Sequence, residues 1–188
     1  RDVVATSDQQ HVYLGSRDDG TIVHLVRYNG TLKWAESHAF GKFQAMELSA
    51  DERFLYAVGP DSLKVFARNN DDGRLTQTEH SYDGDIGMAI GPSMLATVGS
   101  GKLTLYELTG SGGNGALKLR GNAQGAELKG VERMQFSPDG KFLFVASFDT
   151  DSVSSWELTQ NGAKLAGKVS KMPGIDSPND VAVTPDGT

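Results

Sequence analysis

One unit recurs along this chain about every 41 to 47 residues, and that recurrence limits what it can fold into more than any single motif does. The clearest copy runs from Val131 to Gly167. In it, Met134-Gln135-Phe136 alternates apolar and polar residues, as a short strand does. Ser137-Pro138-Asp139-Gly140 is turn chemistry, because Pro fixes φ and Asp and Gly tolerate the conformations that follow. Phe142 to Ala146 is an unbroken apolar run, which suits a strand covered on both faces. Asp149-Thr150-Asp151 turns the chain into a third strand, Val153 to Leu158. Asn161-Gly162 then supplies the positive φ angles of a tight hairpin before a fourth.

The copies align in three independent columns. The residue before the second strand falls at Asp8, Asp51, Pro92, Asp139 and Asp186, at intervals of 43, 41, 47 and 47. The second strands read HVYLGS, FLYAVG, MLATVG and FLFVAS, from His11, Phe54, Met94 and Phe142. In the third strands Leu25, Phe66, Tyr106 and Trp156 share a position, as do Ile22, Leu63, Leu103 and Val153. The turn before the fourth strand is Asn29-Gly30, Asp72-Gly73, Asn114-Gly115 and Asn161-Gly162. Four strands within a period in the forties are the mark of propeller blades. The sequence therefore predicts an all-β propeller of four four-stranded antiparallel blades, at about residues 3–40, 43–82, 85–125 and 131–173, with almost no helix. Residues 178–188 read as the first strand and turn of a fifth blade. The expectation is a segment of a larger, seven-bladed ring whose other blades lie in further sequence or on a partner chain, since an open arc would bare apolar faces.

Composition removes several classes of function. A net charge of −6 with no basic block argues against nucleic acid or an anionic membrane as the main partner. No run approaches the ~18–20 apolar residues of a membrane span. Cysteine is absent, so thiol chemistry and disulfides are excluded. The first residue is Arg, so a signal peptide would be invisible and the compartment stays open.

Ser137–Ser147 (SPDGKFLFVAS), the following Asp151-Ser152-Val153, and Leu48–Gly59 (LSADERFLYAVG) resemble the repeats of lactonase-type propellers, the group of 6-phosphogluconolactonase-like and YVTN-repeat proteins. The WD pattern fits less well, because Ala35 and Glu157 follow the two tryptophans. Kelch repeats need a diglycine at a strand end, and the only Gly-Gly lies in the loop at Gly112-Gly113. Pro178–Thr188 is similar to a segment of calcium-dependent gluconolactonase-like propellers. That likeness implies Asn179 as a metal ligand, and with it Ca2+ or another divalent metal as cofactor; without it, no cofactor is expected.

Residues at the heads of inner strands converge on the axis of a propeller, which makes Gln44, Glu47, Asp85, Glu132, Arg133, Asn179 and Asp180 the candidates for chemistry. Arg133 has the planar fork that binds an anionic substrate. Glu132 or Asp85 suits a general base, and lactone hydrolysis needs a base, a positive group facing the oxyanion and an activated water. The bland alternative is that all are solvated turn residues. Lactonase-type sequences often carry Arg-His here, whereas Met134 follows Arg133. The four histidines, His11, His24, His38 and His80, look scattered and fit no zinc motif. The acidic pairs Asp18-Asp19, Asp71-Asp72 and Asp149/Asp151 read as turn residues. Gly110–Gly115 reads as a flexible hairpin loop, since no helix follows it to cradle a phosphate.

The function expected first is a non-catalytic binding or scaffold module in a larger assembly, with a protein partner. The alternative is a lactone hydrolase, 6-phosphogluconolactonase-like or metal-dependent and gluconolactonase-like, with its site at the central channel and using Glu132 and Arg133.

Overall fold

The computed structural model describes residues 2–109, 113–170, 173–174 and 176–186. Residues 110–112 of the glycine-rich loop, Lys171 and Met172 at the end of the fourth blade, and the last two residues lie outside the described set.

Sixteen strands form four separate sheets. They are β1 (Asp2–Ala5), β2 (His11–Ser16), β3 (Thr21–Tyr28) and β4 (Thr31–Ala39); β5 (Ala45–Leu48), β6 (Phe54–Gly59), β7 (Ser62–Arg68) and β8 (Leu75–Tyr82); β9 (Gly87–Ile90), β10 (Met94–Gly99), β11 (Lys102–Leu108) and β12 (Leu117–Gln124); and β13 (Val131–Phe136), β14 (Phe142–Ser147), β15 (Ser152–Thr159) and β16 (Gly162–Ser170). Each sheet is an antiparallel meander in sequence order. Only one 3-10 turn, Ala126–Leu128, is helical among the described residues. Phe54 and Phe142 thus hold equivalent places in different sheets.

The repeat extends to register. Leu25 pairs with Val12, Phe66 with Leu55, Tyr106 with Leu95 and Trp156 with Leu143. Ile22 pairs with Gly15, Leu63 with Val58, Leu103 with Val98 and Val153 with Ala146. A one-residue slip would have turned every apolar side chain to the opposite face. Every blade also carries an irregularity between its third and fourth strands just before the large third-strand residue, at His24/Leu25, Lys64/Phe66, Leu105/Tyr106 and Ser155/Trp156. Such a bulge adds twist where the outer strand must bend away.

The chain divides into two compact units, the first holding β1–β8 and the second β9–β16. Each has its own core between its two sheets. In the first unit, Tyr13, Ile22, Phe43, Met46, Leu55 and Phe66 pack together with essentially no exposure. In the second, Val98, Leu103, Leu105, Leu128, Leu143, Val145 and Trp156 do the same. Burying each such side chain is worth about 1.5–3 kcal/mol, so sheet-on-sheet packing rather than any single ladder holds a unit together.

The tail differs from expectation. Residues 178–184 form no strand ladder. The segment still lies beside β13, because the Val183 N–H donates to Gln135 Oε1 at 2.9 Å. A ladder needs a second strand, and the described residues hold none after it.

Candidate functional site

The candidates at the inner strands fall into both units. In the first, Asp2 of β1 accepts the Met46 N–H of β5 on Oδ2 at 3.0 Å, which ties the two inner strands together. The Gln44 N–H donates to the Val58 carbonyl at 2.9 Å, while its Oε1 is buried with no hydrogen-bond partner. Glu47 is half-buried and opposite Tyr56 in the ladder. The Asp85 N–H donates to the Gly59 carbonyl at 3.0 Å, so its backbone closes the turn into the next inner strand.

In the second unit the register of β13 against β14 shifts between Val131, which pairs with Ser147, and Arg133, which pairs with Ala146. Glu132 is the extra residue of that bulge. A bulge re-aims side chains that regular alternation would send to opposite faces, and here Glu132 and Arg133 are both exposed. Val131, Met134 and Phe136 meanwhile stay in the core. Asn179 and Asp180 are exposed on the segment beside β13, with Asp180 Oδ1 accepting the Val181 N–H at 2.8 Å. Glu132 and Arg133 thus lie together on β13, while the tail that carries Asn179 and Asp180 meets that strand through the Val183–Gln135 bond. Among the described residues no group of three or more His, Asp or Glu is placed to hold a metal ion. Asn179 would supply one oxygen where calcium takes six to eight, so the donor set around it does not fit that ion.

Sequence reading missed the densest polar cluster. His11 and His24 are 7% and 0% exposed, and His11 Nδ1 meets His24 Nε2 at 3.0 Å. The Tyr13 ring stacks on His24 with centroids 4.9 Å apart. Its hydroxyl donates to the Gly73 carbonyl at 2.5 Å and accepts from Arg68 Nε at 3.0 Å. Glu36 Oε1 accepts the Leu75 N–H at 2.7 Å and lies 3.2 Å from His38 Nε2 and 3.8 Å from His24 Nδ1. Burial pushes the Tyr13 phenol up to about 12 and lowers His11 and His24 below 6.5. For Glu36, burial works to raise its pKa, but the Leu75 N–H and His38 outweigh it and the carboxyl ends below its ordinary value. The signal was present in the sequence: His11 and Tyr13 on β2, with Ile22 and His24 on β3, alternate onto one buried face. These histidines lie at the seam between the first two blades, away from the inner strands.

The comparisons with known proteins bear on this geometry. Residues 2–91 match the family described as Lactonase, 7-bladed beta-propeller. The resemblance to lactonase-type propellers holds. No curated protein matches the sequence. Among solved structures the chain is similar to a 6-phosphogluconolactonase candidate from Bacteroides uniformis, with 16% identity and a TM-score of 0.79, over 96% of this chain and 56% of that one. It is also similar to the periplasmic gluconolactonase of Pseudomonas aeruginosa, with 18% identity and a TM-score of 0.77, over 95% and 55%. A chain of the mitotic checkpoint complex matches at 17% identity and a TM-score of 0.68, over 95% and 54%. At such identities these likenesses establish the fold alone. The chain spans little more than half the length of these structures.

Proposed function

We propose that the protein of which these residues are part is a lactone hydrolase of the lactonase propeller type, acting on sugar lactones at the axial ends of its inner strands. The observation that carries this reading is the lactonase family match over residues 2–91. The exposed Glu132–Arg133 pair at the β13 bulge supports it in the second unit. Glu132 takes the proton of the attacking water as general base. Arg133 offers its fixed positive charge to the oxyanion that forms at the lactone carbonyl. As that intermediate collapses the C–O ring bond breaks, and the ring oxygen leaves as the new hydroxyl with the proton that Glu132 took up. The remaining blades, on the same chain or on a partner, cover the face of β1 and β2 on which Val3 and Leu14 stand 57% and 37% exposed.

The test is hydrolysis of sugar lactones by the full-length protein, with and without chelator. Glu132→Gln is expected to cut turnover by about 10²–10⁴, the usual worth of a general base. Arg133→Ala is expected to lower kcat/KM as well. Unchanged turnover in both variants of an active enzyme removes the site, and turnover abolished by chelator brings a metal into it.

A binding module is the second reading. It is favoured by Tyr28, Leu32 and Trp34, which stand largely exposed on the outer hairpin of the first blade. It predominates if the full-length protein turns over no lactone and substitution of Trp34 abolishes capture of a protein partner.

A further inference from the structure

The seam between the first two blades contains a string of titratable groups that the proposed chemistry does not use. Its protonation can be derived from geometry. Neutral His11 and neutral His24 carry one N–H each, and the 3.0 Å contact between His11 Nδ1 and His24 Nε2 needs one donor and one acceptor. Were His24 to donate from Nε2, its bare Nδ1 lone pair would face the Glu36 carboxylate 3.8 Å away. The favoured arrangement therefore has His11 Nδ1–H donating to His24 Nε2, with the His24 Nδ1–H turned to Glu36. His11 Nε2 is then the one basic nitrogen left. His11 lines a cleft of about 420 Å3 at the blade rim, together with Gln10, Val26, Asp71, Asp72 and Arg74.

We propose that this pair is an acid-sensitive latch, in which a second proton breaks the His11–His24 bond within the first blade and sets two imidazolium rings beside Arg68 of the second, which loosens the seam between the blades. A first proton arrives at His11 Nε2 from the cleft and leaves the bond intact. A second has only His24 Nε2 to occupy, and that nitrogen is the acceptor. Two imidazolium rings then face each other where a hydrogen bond stood. The groups around the pair oppose one another. Arg68 of β7 disfavours charge on both rings, while Asp8, Asp72 and Glu52 favour it on His11 and Glu36 and Asp72 favour it on His24. Tyr13 is neutral, and His38 Nε2 lies 3.2 Å from the same Glu36 oxygen that faces His24. Burial outweighs the carboxylates, so both rings bind protons less readily in the closed seam than in an open one. The sign follows: the seam is fully closed above pH 6.5 and loses stability as pH falls through the window below it. Glu36, lowered below 4.5, stays ionised there and adds its own loss only at lower pH.

The Leu75 amide is the reporter, because its N–H bonds Glu36 across the seam. In the full-length protein, its hydrogen exchange, corrected for the intrinsic rate, is expected to reveal an opening equilibrium that rises by at least about tenfold per pH unit below 6.5. His24→Gln is expected to make that slope measurably shallower, since only the His11 proton then remains linked to opening, while His80→Gln, on the half-buried outer strand β8, leaves it intact. If His24→Gln does not fold, ring NMR of the wild type decides. Titration of His11 and His24 below 6.5 together with loss of Leu75 protection supports the latch. Titration at or above 6.5, or Leu75 protection unchanged between pH 7.5 and 5.5, overturns it.

Discussion

Thr6, Ser49 and Ser137 each donate a hydroxyl hydrogen bond to the aspartate two residues on, Asp8, Asp51 and Asp139, at 2.5, 2.7 and 2.6 Å. Each hydroxyl also accepts the N–H of the residue that opens the second strand, His11, Phe54 or Phe142. The aspartate column read in the sequence is thus a clip that fixes where the second strand begins, and catalysis has no part in it. The Ser137 hydroxyl and the Lys141 N–H hold the Asp139 carboxyl down at about 2. After the clip, the backbone turns left-handed at Gln9, Glu52 and Gly140, with φ of 59°, 55° and 68°. Only the fourth blade spends a glycine there. Gln9→Gly is expected to stabilise the chain by about 0.5–1 kcal/mol in denaturant unfolding, because glycine takes positive φ without strain. Gly59→Ala is expected to act in the opposite direction, at about 1–3 kcal/mol or more, since a methyl there runs into the Lys42 backbone carbonyl. The turn residues were legible because their chemistry is local. The alternation of Ile22 and His24 on β3 was legible too, but the groups His24 meets, Glu36 and Arg68, were not, because neither is its neighbour in sequence.

Strands were legible wherever alternation or an unbroken apolar run marked them, and so were the shared columns of the third strands. The bulges before Leu25, Phe66, Tyr106 and Trp156 carried no signal shared by all the blades: the extra outer-strand residue is alanine in two of them, Ala35 and Ala166, but Arg120 in the third blade. They arise from the twist that a sheet takes when both its faces pack. The same holds for Glu132, whose bulge position against β14 could not be read from its neighbours. Packing between sheets is where stability is concentrated. Phe43 lies fully buried between the first and second blades and meets Phe40 edge-on at 5.8 Å. Phe43→Ala is expected to cost about 3–5 kcal/mol by chemical denaturation. A loss below about 1 kcal/mol would mean that the two sheets do not bury it between them.

At the scale of the molecule, four meanders of one register and a lactonase family match over residues 2–91 both point to a propeller. The family resemblance was readable because it is written in turn and core residues. The proposed activity was less readable, because Glu132 and Arg133 are two exposed side chains at a bulge of β13 that no sequence motif marks. All of this rests on β6 and β14 belonging to different sheets. Cross-strand NOEs between backbone α-protons measure that directly, since opposed residues in antiparallel pairs bring their Cα atoms to ~4.5–5.5 Å. The expected contacts link β6 only to β5 and β7, through non-hydrogen-bonded pairs such as Leu55 with Leu48, and β14 only to β13 and β15, through pairs such as Leu143 with Phe136. A cross-strand contact between β6 and β14 would contradict the repeated blade and everything built on it.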